Sequence, residues 1–398
     1  MRVQHTSFPL DGFPVYSSAF ASDKQLILGG GGGQSKTGIK NKLRLYRIES
    51  DKLMTQVDEL ELEKGEDAPM SMAAHHETKS IVCGINSAED ALQSGENQNC
   101  RKFAIENDKI TFQASTSTLK LGSAEDDYQK VTVLSPDNKF VAVAGTRDLS
   151  LLQFPSLTPV ALPIHLEKGE IYDATFSATT LVVATTVNLL VYTLPELDAS
   201  TSEKAAGKQK EKSLVELELI KTVERPTLPG DDGGSSFRSV RYHPQDPKIL
   251  YTVINTVPPR NQRKNAPRRA FICKWDTEKW AVTRPRKVSD RGLTCFDVSA
   301  DGKFIAFGSS DYTVGILDGK TLAPLLTILK AHEFPPTTLR FNPSASLLVS
   351  GSADNTVRLI TVPDNLVAAS WSSWIFVIVT LLVILFATIA QQMHQASY

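Results

Sequence analysis

Cysteine is scarce in this chain: Cys83, Cys100, Cys273 and Cys295 are the only four among 398 residues, and no two form a Cys-x-x-Cys pair. Most lie in apolar, strand-like runs, where a thiol acts as a small hydrophobe, so they are expected to be reduced and cytosolic. Charge of one sign is also lacking. The formal net charge is -1 with 22% charged residues, which excludes a global attraction to nucleic acid and leaves any electrostatic role to local patches. The N-terminus, Met1 to Pro9, has no apolar core of a secretory signal, so nothing there takes the bulk of the chain into the secretory lumen. His75, His76 and His332 have no partners at metal-ligand spacing, and His332 reads as a structural turn residue. No Ser-His-Asp or Cys-His arrangement can be singled out, so a hydrolase is unsupported.

The C-terminal region is different. From Trp371 to Ala390 there are twenty residues without a charge, rich in Ile, Val, Leu and Phe, enough to span about 30 Å as a helix. Trp371 and Trp374 supply an interfacial anchor. The expected organisation is a cytosolic head over residues 1–365, a transmembrane tail anchor over 366–390 and a short lumenal tail over 391–398. The modest span suits the thinner endoplasmic reticulum bilayer.

The head carries an internal repeat. Thr132 to Gly145, Cys295 to Gly308 and Leu339 to Gly351 share one pattern: an apolar strand, a turn of Ser, Pro, Asp or Asn, and a second apolar strand ending in Gly. Asp148, Asp311 and Asp354 then fall at one place in the following turn. This is the WD-repeat pattern of a β-propeller, with Trp275-Asp276 and Ala331-His332 keeping parts of the usual dipeptides. First strands near Val15, Pro69, Tyr128, Ile171, Phe237, Leu293 and Thr337 predict an all-β, seven-bladed propeller. The last blade lacks a fourth strand, which Val3 to Phe8 would supply, removing an exposed edge. Three connections between second and third strands are enlarged, Gly29 to Asn41, Asn86 to Cys100 and Asn255 to Arg269, and equivalent turns share one face. Residues 198–212 read as a flexible insertion on the opposite face. Arg260 to Arg291 holds eleven Lys and Arg against three acidic residues, a basic patch read chiefly as solvated surface.

The first of the enlarged connections contains five consecutive glycines, Gly29 to Gly33. Such a run marks positive φ angles, a backbone brought close to a ligand, or simply a floppy surface loop. A P-loop reading fails, because Ser35 stands where glycine must precede Lys36-Thr37 and a strand follows where a helix should receive the phosphates. A cation site fits better. Closely spaced glycines let carbonyls converge on an alkali ion such as potassium, Asn41 could add a side-chain oxygen, and the loop contains no carboxylate for a calcium or magnesium cage.

Gly30 to Gly33 followed by Gly38-Ile39-x-Asn41-Lys42-Leu43, in the first blade of a propeller with a membrane span after it, resembles the endoplasmic reticulum exchange factors for the Sar GTPase, the Sec-twelve/PREB family. The resemblance implies a guanine-nucleotide exchange factor, not a covalent catalyst, that promotes GDP release and GTP loading of the Sar small GTPase and so starts COPII coat assembly. It implies potassium held by Asn41 with backbone carbonyls of Gly30, Gly31, Gly32 and Gly33. Catalysis of exchange would fall to Asn41, Ile39 and Pro69, and the GTPase would meet Lys36, Thr37, Gly38, Ile39, Asn41 and Pro69. The alternative is a tail-anchored scaffold for trafficking proteins without exchange activity.

Overall fold

The computed structural model describes residues 3–34, 37–119, 127–196, 214–258, 267–364, 366 and 371–395, the last stretch with side chains over 377–389. It divides into two compact units, Met1–Thr361 and Val362–Tyr398.

Seven antiparallel sheets make up the first unit, with innermost strands beginning at Val15, Ser71, Val131, Ile171, Ser235, Leu293 and Pro336. These sheets are blades one to seven in chain order. Second strands such as Phe140–Ala144 and Phe304–Ser309 are buried throughout, which explains why they read as continuous apolar runs rather than alternating ones. Outermost strands such as Leu219–Glu224 are mostly exposed and carry the polar residues. The core lies between successive blades. Phe237, wholly buried, packs with residues of blade four such as Val182 and Leu189, and its burial contributes ~2 kcal/mol.

The repeat pattern has a local cause at its turns. Ser135, Ser299 and Asn342 each accept, through the side-chain oxygen, the backbone N–H five residues on, from Phe140, Phe304 and Leu347 at 2.9 Å each. Three residues after each acceptor the backbone enters the left-handed region, at Asn138, Gly302 and Ala345. Side-chain oxygens in such turns stand in for a backbone acceptor. One clasp therefore fixes the first hairpin in three blades.

His5–Pro9 pairs antiparallel with Thr356–Thr361, His5 opposite Ile360 and Pro9 opposite Thr356, so the N-terminal strand completes blade seven as expected. Blade three departs from the pattern, because its outer strand is broken into Thr158–Pro159 and Ile164–His165. Pro159 and Pro163 lack N–H groups and interrupt the ladder. The enlarged connection after Gly84 holds a short helix, Glu89–Gln93. The insertion 198–212 lies outside the described residues, as do Arg260, Arg263 and Lys264 of the basic patch.

The four cysteines are free. Burial pushes Cys100, Cys273 and Cys295 up to about 12, so they are unreactive thiols, as their apolar setting predicted. His332 is buried, with Nδ1 2.9 Å from Thr356 Oγ1 and Nε2 2.9 Å from Ser350 Oγ, a structural role inside blade seven.

The second unit contains a helix, Trp371–Gln395. Every described side chain on it, from Val377 to Ile389, is exposed. Counted over described residues alone, no helix is long and apolar enough to cross a membrane.

Candidate functional site

The glycine loop joins strands Gln25–Gly30 and Lys42–Ser50 of blade one, paired up to Gly30 opposite Lys42. Its glycines answer separate steric demands. A Cβ on Gly30 would lie 2.1 Å from the Pro14 carbonyl oxygen, and one on Gly32 2.4 Å from Thr37 Oγ1. Gly31 sits at φ +138 with a would-be Cβ 2.3 Å from Asn41 Oδ1, and Gly33 at φ +66. The loop thus folds back on itself, with Thr37 over Gly32 and Asn41 over Gly31, and only backbone fits beneath.

Asn41 is buried, 9% exposed. Its Oδ1 accepts from the Gly33 N–H at 2.9 Å, and its Nδ2 donates to the Gly33 carbonyl at 2.9 Å and to the Glu66 carbonyl at 2.7 Å. An N–H on one side and two carbonyls on the other fix the orientation of the amide. The Asn41 carbonyl accepts from Leu62 N–H at 2.9 Å. Glu66 is itself anchored, its carboxylate 2.6 Å from Arg101 Nη2 of blade two with both side chains 11% exposed. Asn41 therefore ties the glycine turn to the connection between blades one and two.

Between Gly33 and Asn41 the described residues Thr37, Gly38, Ile39 and Lys40 are exposed, with Ile39 36% exposed and Lys40 paired to Glu61 at 2.5 Å. Lys36 lies outside the described residues. Pro69 takes a different place from an open contact residue. It is buried, its carbonyl accepts from Ser17 Oγ at 2.5 Å, and a Cβ on Gly29 would lie 2.6 Å from its ring. Pro69 packs under the base of the loop.

Asp67 stands two residues before Pro69. The carboxylate lies 3.5 Å from where a Gly33 Cβ would stand and accepts from the Ala68 N–H at 2.7 Å and from the Gln34 N–H. Burial holds its carboxyl above the ordinary value. No motif spacing marks this contact, because it is made across two blades. As a cation cradle, the site offers the Asn41 Oδ1 lone pair not used by Gly33 and backbone oxygens in a place that a Cβ would fill. Neutral oxygens suit an alkali ion, and Asp67 adds one nearby charge.

The family described as WD domain, G-beta repeat, matches residues 323–361. The guanine nucleotide-exchange factor SEC12 of Candida glabrata is 24% identical over 98% of this chain and 80% of its own length. SEC12 of Mus musculus is 20% identical over 90% of this chain and 91% of its own. Both relatives are SEC12 guanine nucleotide-exchange factors. Of the longer SED4 protein of Candida glabrata the chain spans only 33%. The likeness to SEC12 supports an exchange-factor role and, by its nature, a small GTPase partner. Among solved structures, Chaetomium thermophilum Raptor superimposes with a TM-score of 0.60 over 90% of this chain and 29% of its own, at 12% identity, a likeness of fold alone.

Proposed function

We propose that this SEC12 relative is a membrane-anchored exchange factor for the Sar small GTPase, promoting GDP release and GTP loading at the endoplasmic reticulum and so initiating COPII coat assembly. The observation that carries the reading is the buried Asn41 clasp, which holds the exposed arch of Thr37, Gly38, Ile39 and Lys40 over a glycine turn too tight for any side chain. Exchange needs no covalent chemistry. A surface that binds nucleotide-free GTPase more tightly than the GDP-bound form loosens GDP by linkage. An arch anchored through Glu66 and Arg101 can press on a partner's switch region without yielding.

Asn41 Oδ1 and the carbonyls of Gly30 to Gly33 would hold potassium. The bound ion would supply positive charge among converging oxygens and so order the turn. Ile39 is the apolar contact for the GTPase, flanked by Thr37 and Gly38, with Lys36 as a further contact and Pro69 as the support beneath. The membrane anchor rests on the helix Trp371–Gln395, whose described apolar side chains are exposed on every face. Water is a poor surround for such a helix and lipid a good one.

The test is GDP release from a Sar GTPase on liposomes carrying the full chain, in potassium and then in sodium buffer. Acceleration that depends on potassium and is lost in Asn41→Ala supports the reading. No acceleration in either salt, with the propeller folded, favours a membrane-anchored scaffold instead.

A further inference from the structure

The innermost strands of five blades share an irregularity that no repeat motif announces. Their pairing with the second strand slips between Val15 and Ser17, Ile171 and Asp173, Phe237 and Ser239, Leu293 and Cys295, and Pro336 and Thr338. The skipped residues are Tyr16, Tyr172, Arg238, Thr294 and Thr337. A β-bulge re-aims a side chain, and all five line the axial cavity of about 420 Å³, together with Lys130 just ahead of the innermost strand of blade three. The bulges build a ring of side chains at one end of the channel. Because these strands start there and the connections from second to third strands end there, that is the face bearing the glycine loop.

The two halves of this ring differ. Around blades six, seven and one the Thr294, Thr337 and adjacent Ser17 hydroxyls are spent on neighbouring carbonyls, those of Pro336 at 2.6 Å, Val15 at 2.5 Å and Pro69 at 2.5 Å. Around blades three to five stand Arg238 and Lys130, besides Arg241. The Arg238 guanidinium lies 4.5 Å and the Lys130 ammonium 5.7 Å from the centroid of the same Tyr172 ring. Among the described residues Arg238 has no carboxylate partner, and Lys130 reaches only Glu170, half exposed, at 3.8 Å. Asp127, near Lys130, is occupied by the N–H groups of Tyr128 and Thr146 and the Thr146 hydroxyl. Asp173, the one carboxylate lining the cavity among the described residues, is paired with Arg241 at 2.6 Å. Burial, and secondarily the Arg238 charge, holds Lys130 below its ordinary value. Two like charges gathered over one aromatic ring, without an internal counter-charge for the arginine, are an arrangement that an anion relieves.

We propose that the part of this ring at blades three to five binds a phosphate-bearing small molecule of multiple negative charge, held by Arg238 and Lys130 beside Tyr172. Arg238 supplies the forked donors that match phosphate oxygens, Lys130 a point charge, and the phenol of Tyr128 a further donor at the rim. The site does not rest on the exchange reading, since none of these residues belongs to the glycine loop.

The experiment is calorimetric titration of the full chain, in non-ionic detergent, with pyrophosphate, alongside its melting temperature with and without the anion. Saturable binding and a raised melting temperature are expected in the wild type. Arg238→Gln and Lys130→Gln should each weaken binding at least tenfold, while Arg286→Gln on the exposed outer strand of blade five leaves it unchanged. Absence of saturable binding by the wild type, or wild-type affinity retained in both Arg238→Gln and Lys130→Gln, overturns the proposal. GDP release measured on the same preparations separates the two readings: lost exchange with intact pyrophosphate binding counts against the exchange reading alone.

Discussion

Asn41 and Gly33 hold each other twice, the side-chain amide of one pairing with both the N–H and the C=O of the other at 2.9 Å. The pair imitates two opposed strand residues at a point where the sheet has already ended. Asn41→Ala removes both bonds and the one to Glu66, a loss of about 2–3 kcal/mol confined to the loop. GDP-release assays should show at least a tenfold fall in exchange with a nearly unchanged melting temperature. Asn41→Asp keeps the acceptor for Gly33 N–H but sets a carboxylate against two carbonyls, so it should lose exchange as Ala does. Wild-type rates in Asn41→Asp would sink the clasp.

The glycines of the loop are not equivalent. Gly31→Ala places a Cβ against Asn41 at a φ of +138, a strain of about 1–3 kcal/mol, and should abolish exchange. Gly38→Ala, at φ +79 with nothing within 4 Å, costs only the left-handed backbone strain of about 1–2 kcal/mol and should retain most activity. The ratio of the two rates is the measurement, and equal damage would remove the steric argument.

Asp67 gives a pH signature. Burial raises its carboxyl above the ordinary 3.8, so just above that value the folded state holds the proton more tightly than the unfolded one, and stability falls as pH rises through the window. The charged carboxylate is therefore a cost at neutral pH. Asp67→Asn should raise the urea midpoint at pH 7 and flatten this part of the profile, since an amide oxygen can still accept from Ala68 and Gln34. A lowered midpoint would mean that the charge itself is needed.

Deleting residues 1–9 leaves Thr356–Thr361 as an open edge in blade seven. Hydrogen exchange at residues 356–361 should accelerate, and the protein should aggregate at concentrations where the intact chain stays monodisperse. Unchanged protection there would show that ring closure does not depend on this strand.

The helix Trp371–Gln395 offers a test of attachment. Leu382→Arg sets a charge amid exposed apolar side chains, at a cost of about 3 kcal/mol if the helix lies in a bilayer. Fractionation should move the chain from membrane pellet towards supernatant, while a chain already in the supernatant as wild type would contradict the anchor.

Much of this architecture was legible in the sequence for a physical reason. Second strands buried on both sides must be apolar throughout, and the clasps at Ser135, Ser299 and Asn342 recur at one spacing, so the blades could be counted. Val15, Ile171 and Leu293 were placed as blade starts without error. The broken outer strand of blade three has no sequence signature, since Pro159 and Pro163 interrupt a ladder whose partners lie elsewhere in the chain. At the site, glycine and asparagine announced a constrained loop, but the burial of Pro69 and the approach of Asp67 arise from contacts between blades. The bulges that aim Tyr172 and Arg238 inward leave no periodic signal, because a single extra residue looks like any other.

The closure of blade seven has a consequence in time. His5–Pro9 is made before the other described strands, yet its partner Thr356–Thr361 is made after them. Until then the earliest strand has nowhere to bond, and the blade bearing the glycine loop has a neighbour on one side only. During synthesis the molecule is an open arc, and it becomes a ring in a single late event that also gives the loop its finished flank.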